Sequence, residues 1–175
     1  MSNISDSPAQ LESKPSSIQD IGAQAKVYAA RMRLQNAIDQ ADALDAIREI
    51  AANLIGTEEV AVFKVDQKRS ELWLYWSFGV DPNKHSVLEV SREPKLKQAL
   101  SGRSVFRLRL SSENLLSTDD PVSALVPIVV EGNTCAVIVL FRLFPHKQGM
   151  EPVDREICEV LSNCAGRAIE PYHAR

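Results

Sequence analysis

The apolar positions that follow the first eighteen residues recur at helical spacing and form two separate stripes. The first stripe advances by four, three and four residues, and it contains Ile21, Ala25, Tyr28 and Met32. The second stripe advances by alternating steps of four and three residues, and it contains Ala23, Val27, Ala30, Leu34, Ala37 and Ala41. Either spacing keeps side chains on one side of an α-helix. The pattern therefore predicts an N-terminal helix over residues 19–41.

The two stripes lie nearly opposite each other on this helix, so one domain face cannot cover both. We expect the first stripe to face the rest of the chain and the second to pack against a symmetric partner, since two-fold pairing is the commonest assembly of soluble proteins. The predicted homodimer interface contains Val27, Ala30, Leu34, Ala37 and Ala41. The alternative is an alanine-rich helix with weakly apolar sides, because alanine favours helix whether or not it is buried.

A second helix is predicted after Asp42, whose short carboxylate suits a helix N-cap. Its apolar face contains Ala43, Leu44, Ile47, Ile50, Ala51, Leu54 and Ile55. Gly56 supplies a left-handed stop at its C-terminal end. A closing helix is predicted from Pro152, and its core-spaced residues are Ile157, Val160, Leu161, Cys164, Ala165 and Ala168.

Strand-like segments occupy the middle of the chain. The predicted strands cover residues 59–66, 71–79, 105–110, 124–130 and 134–143. The first two form a hairpin around a polar turn at 67–70, and the last two form a hairpin around the turn at 131–133. A short helix from Pro94 to Gly102 and a polar loop over 111–121 are predicted between the hairpins.

Alternation along the second strand places Trp73, Tyr75 and Ser77 on one face of the sheet and Leu72, Leu74, Trp76 and Phe78 on the other. Both sets are apolar, so both faces are expected to be covered. Core packing explains this pattern, but the face turned away from the terminal helices would also line a pocket or a docking surface. Trp73 and Tyr75 are therefore candidate binding residues.

Composition and charge exclude several classes of function. The 175 residues carry a formal net charge of −3, so no global basic field is available to hold nucleic acid. No apolar run approaches the roughly 20 residues that cross a bilayer. The N-terminus carries no secretory pattern, and the cytoplasm is the expected location. Residues 1–18 are rich in serine and poor in large apolar side chains, which predicts a disordered tail.

The cysteines and histidines indicate neither a disulfide framework nor a metal site. Cys135, Cys158 and Cys164 are odd in number and lack CxxC spacing, so reduced structural thiols are expected. The three histidines lie in separate segments without metal-binding spacing, and each is expected to be exposed to solvent. His85 is also a candidate ligand residue, because it could enter the roof of a pocket.

Three arginines form the most suggestive polar group. Arg103 precedes the predicted strand 105–110, within which Arg107 and Arg109 alternate with apolar neighbours and so share one face. Two guanidinium groups side by side could bind a carboxylate, a phosphate or an acidic partner surface. The alternative is a charged edge strand, which protects a sheet from unwanted pairing.

Three stretches of sequence resemble the GAF domain family. They are IAANLIGTEEVAVFKVD at residues 50–66, ALVPIVVEGNTCAVIVLFRL at 124–143 and MEPVDREICEVLSNCAGRAIE at 150–170, which are similar to the family's first core helix and strand, its central strands and its closing helix. The resemblance covers about residues 34–170. It implies an α+β, sandwich-like fold with a GAF/PAS-like central antiparallel sheet, N- and C-terminal helices packed on one face, and ligand-pocket loops on the other. Segment 80–121 would roof that pocket.

The resemblance also implies which chemistries the residues should be compared with. Cyclic-nucleotide-binding members carry an Asn-Lys, Phe and Asp-Glu signature, of which only Asp154 is present here. Bilin-binding members attach the chromophore through a pocket cysteine, often followed by His, and no cysteine in this sequence has that neighbour. The free methionine sulfoxide reductases use cysteines in the pocket loops, whereas segment 80–121 contains none. This comparison favours a protein that is not an enzyme.

The expected organisation is a tail over residues 1–18, a dimerisation helix over 19–41 and a GAF-like domain over 42–172. The expected function is a non-catalytic sensory or regulatory module that acts in trans as a homodimer and binds another signalling protein, with or without a small-molecule ligand in the pocket. No cofactor, metal, nucleic-acid partner or membrane insertion is expected. Two alternatives stay open: a sensor of a small effector such as a nucleotide, haem or metal, and a redox enzyme of the free methionine sulfoxide reductase type.

Overall fold

Four α-helices and six strands are present in the computed structural model, which describes residues 18–110 and 120–169. The helices are α1 (Ile18–Gln35), α2 (Gln40–Ile50), α3 (Pro94–Leu100) and α4 (Pro152–Cys164). The strands are β1 (Val60–Asp66), β2 (Glu71–Phe78), β3 (Val87–Glu89), β4 (Val105–Leu110), β5 (Asp120–Val130) and β6 (Asn133–Leu140). A π-helical segment follows α2 at Ala51–Ile55, and short 3-10 helices lie at Val90–Arg92 and Gly166–Ala168. The predicted tail lies outside the described residues, apart from Ile18.

The six strands form one antiparallel sheet in the order β3-β2-β1-β6-β5-β4. The two predicted hairpins, β1-β2 and β5-β6, are confirmed, and they meet through β1 and β6 at the centre of the sheet. In the β5-β6 turn, Glu131 and Gly132 have φ angles of 50° and 80°, as a two-residue hairpin turn requires. The predicted loop over 111–121 is described only at Asp120 and Pro121, and both belong to β5.

The N-terminal helical region is divided, so the prediction of one helix over residues 19–41 is wrong at its end. α1 ends at Gln35, and the extended backbone of Asp39 begins α2 as its N-cap, where the Asp39 carboxylate accepts the Asp42 backbone N–H at 2.8 Å. Asp42, the predicted cap, lies inside α2. Its carboxylate accepts from Arg33 of α1 at 2.7 Å, and this ion pair joins the two helices.

The two stripes of α1 face the opposite way from the prediction. The second stripe packs inside its own domain beside α4, and its small alanine side chains let the two helices approach closely. Of the predicted dimer-interface residues, Ala30, Leu34 and Ala37 are buried in the core, Val27 is half-buried beside them, and Ala41 is exposed on α2. In the first stripe, the exposed fraction is 56% at Ile21 and 65% at Tyr28. The predicted interface is therefore wrong in its residues, since most of them belong to the subunit core.

Apolar side chains cover both faces of the sheet. On one face, here called the helix face, Val62 and Ile138 pack with residues of α1, α2 and α4. On the opposite face, their neighbours Phe63 and Val137 pack with Leu96 of α3. The structure thus confirms the predicted α+β, sandwich-like sheet with the terminal helices on one face.

Candidate functional site

A β-bulge in β2 redirects the aromatic side chains of that strand. Val62 pairs with Trp76 and Phe63 pairs with Leu74, so Tyr75 is an extra residue between the two pairs. Paired residues share a face of the sheet. Trp76 therefore lies on the helix face with Val62, and Leu74 lies on the opposite face with Phe63. The predicted grouping of Trp76 with Leu74 is wrong because strict alternation stops at the bulge.

Trp73 and Tyr75 both lie on the helix face, although they were expected to line a pocket on the other face. Trp73 pairs with Lys64, which lies two residues along β1 from Val62. The Tyr75 hydroxyl accepts a hydrogen bond from the side-chain amide of Gln40 at the start of α2. The Lys64 ammonium lies 4.0 Å from the centre of the Tyr75 ring. These two contacts fix the position of the Tyr75 ring.

The helices cover the helix face incompletely, and an aromatic patch remains exposed where β1 ends and β2 begins. The patch consists of Trp73 and Tyr75, whose exposed fractions are 43% and 37%. The expectation that both faces of β2 are covered is therefore wrong at this end of the strand.

His85 is buried, so the expectation that it is exposed to solvent is wrong. Its ring stacks on Phe141 with the ring centroids 5.3 Å apart. Phe141 belongs to the apolar cluster on the opposite face of the sheet. The preceding residues Asp81–Lys84 are exposed and mostly polar. The local sequence pattern therefore gives no sign that the side chain of His85 is buried. His85 therefore occupies space on the face where the resemblance places a ligand pocket.

The three candidate arginines do not form one site. Arg103 lines a cleft beside α4 together with Phe106. Arg107 lines a different cleft near the start of β5. Its backbone is left-handed, with a φ of 59°, and this conformation interrupts the alternation that was expected to align Arg107 with Arg109. The backbone of Arg109 pairs with Pro121, and the position of its side chain lies outside the described part of the chain.

Two further basic side chains, which the sequence patterns did not indicate, share the cleft of Arg107. Arg142 follows β6, and Lys147 lies in the loop before α4. With Arg107 they define a basic cleft of about 600 Å³, and its other lining residues are Pro121, Val122, Ser123, Leu143, Gln148, Gly149 and Met150. The available signal was a basic residue directly after an apolar strand and another just before a helix.

Lys147 connects the basic cleft to two helical segments. Its ammonium bonds the Asp154 carboxylate at 2.6 Å and also donates to the carbonyl oxygen of Ile55. Both charged side chains are largely buried. Asp154 in addition accepts the Glu151 backbone N–H at 2.7 Å, which closes a capping box at the start of α4. The Lys147–Asp154 pair therefore holds the loop, α4 and the end of the π-helical segment together.

The three thiols are free and differ in burial. Cys158 is fully buried on α4, and this burial raises its pKa to about 12. Cys135 and Cys164 are half-buried. All three pack with the apolar cluster on the helix face.

Residues 18–110 and 120–169 contain no group of three or more His, Cys, Asp or Glu side chains placed to hold a metal ion. Within the same ranges, none of the helices combines the length and the apolar character that a membrane span requires.

Comparisons with known proteins agree with this architecture. The sequence profile described as GAF domain matches residues 39–171. Similar solved structures include the GAF domain of an Acinetobacter phosphoenolpyruvate-protein phosphotransferase, at 16% identity and a TM-score of 0.58 over 87% of this chain and 95% of that chain. The GAF domain of a phosphoenolpyruvate-protein phosphotransferase from Coxiella burnetii aligns at 13% identity and a TM-score of 0.62, over 84% of this chain and 92% of that chain.

The free methionine-R-sulfoxide reductase from Neisseria meningitidis is also similar, at 14% identity and a TM-score of 0.56 over 88% of this chain and 94% of that chain. A search of curated protein sequences finds no match. At these identities, the likeness to the solved structures shows the fold and nothing about activity.

Proposed function

This chain belongs to the GAF domain family, and we propose that it is a non-catalytic regulatory module that acts by binding another signalling protein through the aromatic patch. The observation that carries the proposal is the exposure of Trp73 and Tyr75 on a part of the sheet that the described helices leave open. Tryptophan and tyrosine combine a large rigid contact area with a polar tip, and they are enriched among the residues that dominate binding energy at interfaces.

The patch is ordered before any partner binds. Gln40 fixes the hydroxyl of Tyr75, and Lys64 covers one face of its ring. A side chain that is already ordered loses little conformational entropy on binding. Lys64 also places a positive charge beside the patch, which favours a partner with carboxylates around an apolar contact. The partner that fits is a folded protein with an apolar centre and an acidic rim.

The opposite face of the sheet favours this role over a sensor whose ligand lies beside His85 on that face, and over a redox enzyme. There, His85 stacks on Phe141, and Leu88 and Leu96 belong to the same apolar cluster, so the chain's own side chains fill the part of this face around His85. The cysteines lie on the helix face instead. A redox role of the reductase type needs an exposed thiolate in the pocket loops, so the placement of the thiols supports a protein that is not an enzyme.

We propose in addition that two chains associate through the first stripe of α1. Its large side chains Ile21 and Tyr28 are exposed on one side of the helix, and a second copy of the same stripe would cover them by two-fold symmetry. Patches of this kind on a helix are typical of protein interaction sites. The arrangement replaces the interface expected from the sequence with the opposite side of the same helix.

Photo-crosslinking from position 73 tests binding through the aromatic patch. A benzophenone amino acid in place of Trp73, introduced in the native host, should capture one protein. The same group at the exposed turn residue Lys68 should not. With the captured protein purified, Trp73→Ser should weaken its binding at least tenfold, because a buried interface tryptophan carries a large share of the binding energy.

Phe78→Ser is the matched control, since Phe78 is an exposed aromatic residue at the other end of the same strand. It should bind the partner as the wild type does, and both variants should keep nearly the wild-type Tm. Equal capture from positions 73 and 68, or an unchanged affinity in Trp73→Ser, would show that the patch is not the docking surface.

A further inference from the structure

The basic cleft and the aromatic patch lie at opposite ends of the central strands. In the β1-β6 pair, Val60 lies opposite Leu140 near the cleft, and Lys64 lies opposite Ala136 near the patch. The cleft begins where β6 leaves the sheet at Arg142 and continues to the loop before α4. It is therefore a concave surface separate from the aromatic patch.

The charges in the basic cleft are unbalanced. Among the residues that the structure describes, its lining includes Arg107, Arg142 and Lys147 but no carboxylate. Lys147 is neutralised from beneath by Asp154. Within the described chain, neither Arg107 nor Arg142 has an ion-pair partner. Two guanidinium groups thus share one concavity without a counter-charge from the described residues, in a chain whose net charge is −3. An anion between them would remove their mutual repulsion.

Arg107 is held in the cleft at a conformational cost. Its φ of 59° is unfavourable for a residue with a side chain. Its guanidinium lies over Gly149, so closely that a Cβ at Gly149 would be 3.3 Å from the nearest terminal nitrogen of Arg107. A strained residue that presents a charged group to a cavity is typical of a binding site. Glycine at position 149 leaves the room that this placement needs.

The other walls of the cleft define the rest of the ligand. Leu143, Met150 and Val122 are apolar, and Gln148 supplies an amide that can donate or accept. The volume of about 600 Å³ is typical of a small-molecule site. A single inorganic ion would fill only a small part of it. The cleft thus combines a cationic end with an apolar wall.

We propose that the basic cleft binds a small molecule that carries a carboxylate or phosphate group, with Arg107 and Arg142 holding the anion and Leu143 and Met150 contacting the apolar part. Arginine matches both oxyanions, because its planar fork donates two parallel hydrogen bonds. The shared chemistry is an oxyanion on an apolar body.

Calorimetric titration of the full chain with phenyl phosphate and with benzoate tests this site. At low ionic strength, at least one of the two probes should bind saturably with one site per chain. Arg107→Gln and Arg142→Gln should each weaken that binding at least tenfold. Arg103→Gln is the matched control, because it removes the same charge from the separate cleft beside α4, and it should bind as the wild type does.

Stronger binding of phenyl phosphate would identify phosphate as the source of the oxyanion, and stronger binding of benzoate would identify carboxylate. The proposal is overturned if neither probe binds saturably, or if Arg103→Gln weakens binding as much as the two cleft variants do. Should Arg107→Gln fail to fold, Arg142→Gln decides the question, since Arg142 is exposed and follows the strand.

Discussion

A lysine–aspartate ion pair is largely buried at the start of α4. Lys147 comes from the loop before α4, Asp154 comes from the first turn of α4, and the carbonyl oxygen of Ile55 also accepts a hydrogen bond from the ammonium. Removing charged groups from water is costly, and the geometry must offset that cost. The pair is therefore sensitive to the loss of either partner.

Lys147→Met should lower the free energy of unfolding by roughly 3–5 kcal/mol, because it leaves the Asp154 carboxylate buried without a cation. Urea unfolding followed by circular dichroism measures the change. Adding Asp154→Leu to this variant should recover part of the loss, since no buried charge then remains. A single-variant loss below about 1 kcal/mol would show that water reaches the pair and screens it.

Gly79 occupies a position that accepts no side chain. Its φ is 70°, and a Cβ there would collide with the carbonyl oxygen of Glu58. Gly132 has a similar φ of 80° but open space around it. Gly79→Ala should therefore cost about 3 kcal/mol or more, whereas Gly132→Ala should cost only the left-handed strain of about 1 kcal/mol. Equal losses in thermal unfolding would mean that the β1 end shifts to accommodate the methyl group.

The thiol of Cys158 should be chemically inert in the folded protein. Burial raises its pKa to about 12, so that roughly one thiol in 10,000 is thiolate at pH 8. Ellman's reagent at pH 8 should modify Cys135 and Cys164 in the native protein and the third thiol only in denaturant. Replacing all three by serine or alanine should leave partner binding intact. Rapid native labelling of Cys158, or loss of binding in a folded triple variant, would revive the redox alternative.

At the scale of elements, α1 uses its two sides for different purposes. The alanine-rich side packs on α4, and Arg33 holds α1 to α2 through Asp42 and through Glu49 at 2.6 Å. The side with Ile21 and Tyr28 is exposed and forms the proposed dimer interface. The division is possible because α1 lies at the surface of the domain, where only one side of a helix can be covered.

The wild-type chain should be a dimer at micromolar concentration, and Ile21→Glu with Tyr28→Glu should make it a monomer. Four carboxylates would then face one another across the two-fold seam. Gly22→Glu with Ala29→Glu is the matched control, since both positions are exposed and each is displaced by one residue from the stripe. Sedimentation velocity measures all three proteins. A monomeric wild type, or a control that dissociates equally, contradicts the proposed interface.

At the scale of the whole molecule, one antiparallel sheet separates two candidate binding surfaces. The aromatic patch lies at one end of β1 and β6, and the basic cleft lies at the other. Substitutions at distant sites that share no contacts usually act additively. Trp73→Ser should therefore leave phenyl phosphate binding unchanged, and Arg142→Gln should leave the affinity for the protein partner unchanged when no small ligand is present. A change in either would reveal coupling through the sheet.

Much of the fold follows from local patterns in the sequence. The helical spacing of apolar residues indicated the helices. The alternation of apolar and polar residues, interrupted by turn residues, indicated both hairpins, because these signals depend only on neighbouring residues. The main errors have local causes as well. Asp39, three residues before the predicted cap Asp42, is the N-cap of α2, and α1 has already ended at Gln35. The bulge at Tyr75 carries no sequence signal, and it moved Trp76 to the other face of the sheet.

The sequence by itself determined which residues share a side of a regular helix or strand, since that relation is set by backbone geometry alone. It did not do so where a bulge interrupts β2 or a left-handed residue interrupts β4. Only the tertiary structure decided which side faces inward. Both stripes of α1 are apolar, and the choice between them rests on how closely α1 can approach α4. The same holds for the candidate sites: His85 is buried because Phe141, distant in sequence, lies beneath it. Arg107 meets Arg142 and Lys147 because β4, β5 and β6 are neighbours in the sheet. Contacts between residues far apart in the chain depend on the packing of the whole domain, which no local pattern encodes.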